Sequence, residues 1–207
     1  MRLSVLFLFS LFITLTACRK RSPEELKARS EGKFKLHLPF EKDGKLMAVI
    51  ESSAGDHHKT NYNPINHAFE KLMIDGQLIK TKHLSLPFNA GFIPSTRLDT
   101  NKRGNGETVK VFVLSGRIPS ETYTPINPIG LMHYNDKGIK RTVVLAHSLD
   151  DEYQSIKSED ISLLPKGVLE MVSNWVCNQE SNDRYQLISW GQQRDALKYI
   201  NDWKLRR

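Results

Sequence analysis

Apolar and polar positions change rhythm several times along this chain. Leu3 to Leu15 is almost wholly apolar, broken only by Ser4, Ser10 and Thr14, and it gives way to Arg19-Lys20-Arg21. From Leu46 onward the rhythm is that of strands. Leu46–Ile50 is a short apolar run leading into Glu51, and Leu78–Leu84 alternates apolar residues with Lys80 and Lys82. Val109–Leu114 is β-branched and aromatic, and Ile126–Tyr134, Thr142–Ala146 and Tyr185–Trp190 carry further strand patterns. Turn-forming groups separate these runs: Asp75-Gly76, Arg103-Gly104-Asn105-Gly106 and Asn135-Asp136-Lys137-Gly138. Helical spacing comes late. Leu169, Val172 and Val176 follow Pro165 at i, i+3 and i+7, and Ala196, Ile200 and Trp203 share one face. Short strands followed by two terminal helices predict an α+β domain, a small closed or partly open barrel with helices packed outside.

The first apolar run has the length of a signal h-region and falls short of the roughly 20 residues of a membrane span. Leu15-Thr16-Ala17-Cys18 then resembles the lipobox of bacterial lipoproteins. The resemblance implies cleavage before Cys18, a lipid on its sulfur and an exported chain anchored at a periplasmic or outer membrane face. A plain cleaved signal and an uncleaved anchor are the alternatives. The expected organisation is a signal over 1–17, a lipidated N-terminus and tether over 18–44, and one domain over 45–207. Ser22-Pro23-Glu24-Glu25 predicts a short capped helix within the tether.

Charge and cysteine content narrow the partners. The formal net charge is +7, but the cations are spread along the chain without interleaved aromatics, which argues against nucleic acid as a partner. Arg19-Lys20-Arg21 suits anionic lipid head groups instead. The two cysteines are Cys18 and Cys177. With Cys18 acylated, Cys177 has no intramolecular disulfide partner and reads as a buried, inert thiol.

A collinear series of segments resembles the family I soluble inorganic pyrophosphatases. Ile50-Glu51-Ser52-Ser53-Ala54-Gly55 through Lys59-Thr60-Asn61 is similar to that family's IEIPAGSxxKYE. Leu86-Pro87-Phe88-Asn89-Ala90-Gly91-Phe92-Ile93 resembles YPxNYGYI, and Asn105-Gly106-Glu107-Thr108-Val109-Lys110-Val111 takes the place of DGDPxDV. His147 to Lys157, then Leu163-Leu164-Pro165 and the helix to Val176, resemble the stretch around the family's long C-terminal helix. The resemblance covers roughly Lys45 to Trp190. It implies a five-stranded OB-like β-barrel with the active site at its open face, hydrolysis of diphosphate to two phosphates, Mg²⁺ as cofactor and a homo-oligomer. Carboxylates suit that chemistry because they hold hard cations through oxygen, and a metal-bound water has a lowered pKa.

The family's site residues carry over unevenly. The resemblance implies catalytic or phosphate-contacting roles for Glu51, Lys59, Lys82 (or Lys80, in place of an arginine) and Arg141, and metal-ligand positions at Asn105, Glu107 and Asp136. Thr60 and Asn61 stand where the family has tyrosine and glutamate, and Leu86 and Ala90 where it has two tyrosines. Asn105 is neutral where the family has aspartate. Lys110 reverses the charge of the third signature aspartate and opposes Mg²⁺ binding. The family's DEGExDxK segment is shortened to Asn135–Arg141, and its late tyrosine-lysine pair falls near Cys177, Asn178 and Gln179. The expected function is therefore a membrane-tethered inorganic pyrophosphatase homologue with weak, altered or lost activity. The alternative is a non-catalytic lipoprotein that binds an anionic or phosphorylated ligand, or an assembly module.

Other constellations carry less. His57-His58, with His67 and His83, matches no closed metal-site spacing. Asp150-Asp151-Glu152 reads as a solvated turn. Gly104-Asn105-Gly106 lacks the strand–loop–helix setting of a phosphate loop, and His147-Ser148 has no nucleophile elbow.

Overall fold

The computed structural model describes residues 38–63, 68–74, 77–78, 84–100, 104–165, 167–178 and 185–205. Cys18, the expected tether as far as residue 37, and Lys80 and Lys82 lie outside the described residues, as does most of the Leu78–Leu84 run, while residues 41–42 at the end of the expected tether are a strand of the domain.

In chain order the strands are β1 (Glu41–Lys42), β2 (Lys45–Ser52), β3 (Thr60–Asn63), β4 (Ala68–Lys71), β5 (Met73–Ile74), β6 (Gln77–Leu78), β7 (Asn89–Ile93), β8 (Val109–Val113), β9 (Tyr123–Asp136), β10 (Ile139–Ser148) and β11 (Tyr185–Gln192). Two helices, α1 (Val168–Cys177) and α2 (Gln193–Asp202), flank β11 in sequence. Among the described residues seven strands form one sheet in the order β1-β2-β7-β8-β10-β9-β11, with β2 also pairing β9, while β3-β4 and β5-β6 are separate two-stranded sheets. The large sheet is mixed: β8 and β10 run parallel, and the other pairs are antiparallel.

This arrangement corrects the expected five-stranded OB-like barrel: the described residues form a mixed, mostly antiparallel seven-stranded sheet with two α-helices. The cause lies chiefly in β9. It is 14 residues long, where the apolar pattern marked only Ile126–Tyr134. Its first residues pair β2 (Val49↔Tyr123 to Leu46↔Ile126), its second half pairs β11 (Gln192↔Gly130 to Tyr185↔Asp136), and β10 follows it on the other edge from Ser148↔Ile126 to Ile139↔Asp136. One long strand thus serves three partners, and β1 and β11 extend the sheet. The β9–β10 connection is a two-residue turn, with Lys137 (φ 50°) and Gly138 (φ 86°) both left-handed, a geometry whose twist matches the flanking strands.

The core sits on both faces of β10. Val144 and Ala146 join Ala48, Ile50, Val109, Val111, Val113 and the α2 residues Ala196 and Ile200. Val143 and Leu145 join Phe88, Leu114, Ile129, Met132 and the α1 residues Val172 and Val176. A central strand covered on both sides reads as a continuous apolar run, as Val143–Ala146 does. The apolar stripes seen in sequence are therefore the buried faces of the two helices.

Candidate active site

Glu51 stands at an irregularity in β2. The register with β7 runs Ile50↔Gly91 and then Ser52↔Ala90, so β2 advances two residues while β7 advances one. Such a bulge kinks the strand and re-aims a side chain. Gly91 permits the close pairing there, because a Cβ on it would fall inside the contact distance of the Val49 carbonyl oxygen.

The re-aimed Glu51 side chain is buried, with the residue 5 % exposed. Its Oε1 accepts the Tyr62 backbone N–H at 3.0 Å. The Lys110 ammonium donates to both carboxylate oxygens, at 2.9 Å to Oε2 and 3.2 Å to Oε1. Lys110 reaches this place because it faces Phe92 in the β7–β8 register, and its Nζ lies 5.8 Å from the Phe92 ring centroid. Val49, Tyr62 and Phe92 form an apolar cluster beside the pair. The charges thus meet next to low-polarity side chains, where ion pairing is stronger than in water.

A second pair lies at the β9–β10 hairpin. Arg141 Nε approaches Asp136 Oδ2 at 3.6 Å, the two residues lying on opposite strands of the hairpin. Tyr134, in register with Arg141, packs edge-on against Tyr185 with ring centroids 5.9 Å apart. Burial pushes the Tyr134 phenol up to about 12; Tyr185, Asp136 and Glu107 push the same way, and Arg141 opposes them. Tyr134 therefore sits within electrostatic reach of three of the residues singled out from sequence. The strand pattern places Tyr134 at the end of Ile126–Tyr134 and gives it no role at the site.

The remaining candidates are more dispersed. Glu107 is exposed, in the loop before β8, and its backbone N–H donates to Asn105 Oδ1 at 3.2 Å. That loop is fastened by Leu98 N–H to the Glu107 carbonyl at 2.7 Å and Gly106 N–H to the Leu98 carbonyl at 2.8 Å. Lys59 lies with Nζ 5.9 Å from the Trp175 ring of α1. Trp175 is anchored by its indole N–H, which donates to the Ser85 carbonyl at 3.1 Å. The structure thus brings together Glu51 with Lys110, and Asp136 and Arg141 with Tyr134, and places Lys59 against α1.

Tyr134 gives a pH test. Its pKa is raised from 10.0 to about 12 in the folded state, so the folded protein holds this proton more tightly than the unfolded chain. Stability from this group is complete below pH 10 and is lost as pH rises toward 12. Tyr134→Phe should flatten the fall in stability over that window, measured by urea unfolding. An unchanged slope would show that Tyr134 is not the group titrating.

The profile named Inorganic pyrophosphatase matches residues 48–206. The chain belongs to the inorganic pyrophosphatase family. Solved structures agree on the fold. The inorganic pyrophosphatase of Thermus thermophilus is 20 % identical with a TM-score of 0.70, covering 82 % of this chain and 95 % of that one. The enzyme of Neisseria gonorrhoeae is 22 % identical with a TM-score of 0.62, covering 78 % and 90 %. The type I enzyme of Toxoplasma gondii is 20 % identical with a TM-score of 0.68, covering 80 % and 82 %. No curated protein matches the chain.

Family membership points to a divalent-metal-dependent hydrolase. The donor set near Glu51 does not fit such an ion: among the described residues no group of three His, Cys, Asp or Glu side chains is disposed to hold a metal. Glu51 and Asp136 each face a cation from their own chain. What this arrangement supplies is two pre-formed ion pairs and, at Tyr134, a phenol that stays protonated at neutral pH.

Proposed function

We propose that this chain is an inorganic pyrophosphatase homologue, exported and held at a membrane by a lipid on Cys18, in which Mg²⁺-dependent hydrolysis of diphosphate is weak or lost. The observation that carries the second half is the Lys110 ammonium, 2.9 Å from Glu51 Oε2. Diphosphate brings several negative charges, and its hydrolysis needs cations that neutralise charge developing in the transition state. A carboxylate already engaged by an ammonium offers an incoming Mg²⁺ little, and the ammonium repels it. The reading of the N-terminus rests on Leu15-Thr16-Ala17-Cys18 and the apolar run before it.

Given diphosphate and Mg²⁺, the mature protein should release phosphate at least about a hundredfold more slowly than the Thermus thermophilus enzyme assayed beside it, the scale expected when metal ligation is disturbed. Turnover of similar size, abolished by Glu107→Ala, would sink this part of the reading. The anchor has a separate check. Cys18→Ser should move the protein from the membrane fraction to the soluble one; a variant that stays in the membrane fraction is held by something other than the lipid.

A further inference from the structure

We infer that Lys110 is the resident cation of this site, a built-in positive charge that takes up the Glu51 carboxylate and excludes a divalent metal ion from it. The inference deepens the reading above and rests on it for its functional meaning. Its physical content concerns metal binding alone.

Four observations carry it. Glu51 is buried, so its charge needs a partner, and a bare buried carboxylate is costly. Its oxygens receive the Tyr62 N–H at 3.0 Å and the ammonium at 2.9 and 3.2 Å, which satisfies the charge within the chain. The ammonium rests on the Phe92 ring in the β7–β8 register, so it is placed by the sheet rather than by chance contact. Among the described residues no group of three His, Cys, Asp or Glu side chains stands ready to complete a metal site, and the apolar cluster Val49, Tyr62 and Phe92 lies beside the pair. A divalent ion at Glu51 would have to displace a tethered cation of high local concentration without a prepared set of further carboxylate ligands.

The order of substitutions follows from this. Lys110→Asp removes the competing charge and adds a second carboxylate facing Glu51, so it should open a divalent-cation site that depends on both. Removing Glu51 as well should close it.

The test uses the full chain with Mn²⁺ as probe, free Mn²⁺ being counted by electron paramagnetic resonance in the absence of diphosphate. Wild type should show no Mn²⁺ binding that is lost in Glu51→Gln. Lys110→Asp should bind Mn²⁺ at least about tenfold more tightly than wild type, and Lys110→Asp/Glu51→Gln should lose that gain. Glu51-dependent Mn²⁺ binding by wild type overturns the inference, as does a folded Lys110→Asp that binds no better. If Lys110→Asp does not fold, wild type is compared with the charge-free Glu51→Gln/Lys110→Met variant. Equal binding by the two supports the inference, and tighter binding by wild type overturns it. The readouts separate the two claims. Mg²⁺-dependent phosphate release without Glu51-dependent Mn²⁺ binding defeats the proposed loss of activity and leaves Lys110 as the resident cation. Glu51-dependent Mn²⁺ binding without phosphate release does the reverse.

Discussion

Gly91→Ala is expected to cost more than about 4 kcal/mol, enough to exhaust most of a domain's stability. The added methyl would collide with the Val49 carbonyl oxygen and lie 2.9 Å from the Val49 carbonyl carbon and 3.0 Å from Ile50 Cα. All three are backbone atoms of β2, so no side-chain rotation relieves the contact. Relief requires β2 and β7 to part at the step where the register shifts beside Glu51. Loss of a cooperative urea transition, or a midpoint too low to measure, is the expected result. A stability within about 1 kcal/mol of wild type would show that the two strands separate easily, and that the bulge is not held by their close approach.

Asn89→Ala should be nearly as severe. Asn89 is fully buried, and its side chain is the joint between two loops. Oδ1 accepts the Ala54 and Ile118 backbone N–H groups, each at 2.9 Å. Nδ2 donates to the Gly116 carbonyl at 2.9 Å, Ser115 Oγ at 3.1 Å and the Val113 carbonyl at 3.3 Å. Alanine would strand two backbone donors and leave the acceptors to water or to nothing. With an unsatisfied buried group costing roughly 1–3 kcal/mol, a loss of about 3–5 kcal/mol is expected. Hydrogen exchange sharpens the test, because the Ala54 and Ile118 amides should lose protection before the β9–β10 ladder does. Uniform exchange across the sheet would mean that Asn89 supports the whole fold rather than the joint between the loops after β2 and β8.

Sequence reading found the elements with the strongest periodicity. Val109–Leu114 is β8 in all but its last residue, Thr142–Ala146 lies within β10, and Leu169, Val172 and Val176 lie on α1. Of Asn135-Asp136-Lys137-Gly138, the last two residues form the turn and the first two end β9. The misses have physical causes. β7 (Asn89–Ile93) contains Asn, Ala and Gly, poor strand formers that are held in place by neighbours on both sides. The β3–β4 hairpin is polar along Thr60–Asn63 and shows its pairing only through partners such as Tyr62↔Phe69. β9 extends beyond its apolar pattern because Tyr123–Pro125 has no clear alternation, and a strand's full length depends on what pairs with it.

The sequence by itself determined the family resemblance, later matched over residues 48–206, and the identity of each residue at the candidate site, including a lysine where a carboxylate was expected. The proposed anchor rests on Leu15-Thr16-Ala17-Cys18, which is likewise a property of the chain alone. The sequence did not determine what that lysine does. Glu51 and Lys110 are 59 positions apart, and nothing in the sequence shows that they pair with each other. Only the tertiary structure joins them. A bulge opposite Gly91 turns the carboxylate, the β7–β8 register sets the ammonium over Phe92, and burial of Glu51 makes it costly to leave that carboxylate without its cation. Pairing across that distance is fixed by strand register, which is settled by the faces that the assembled strands bury together.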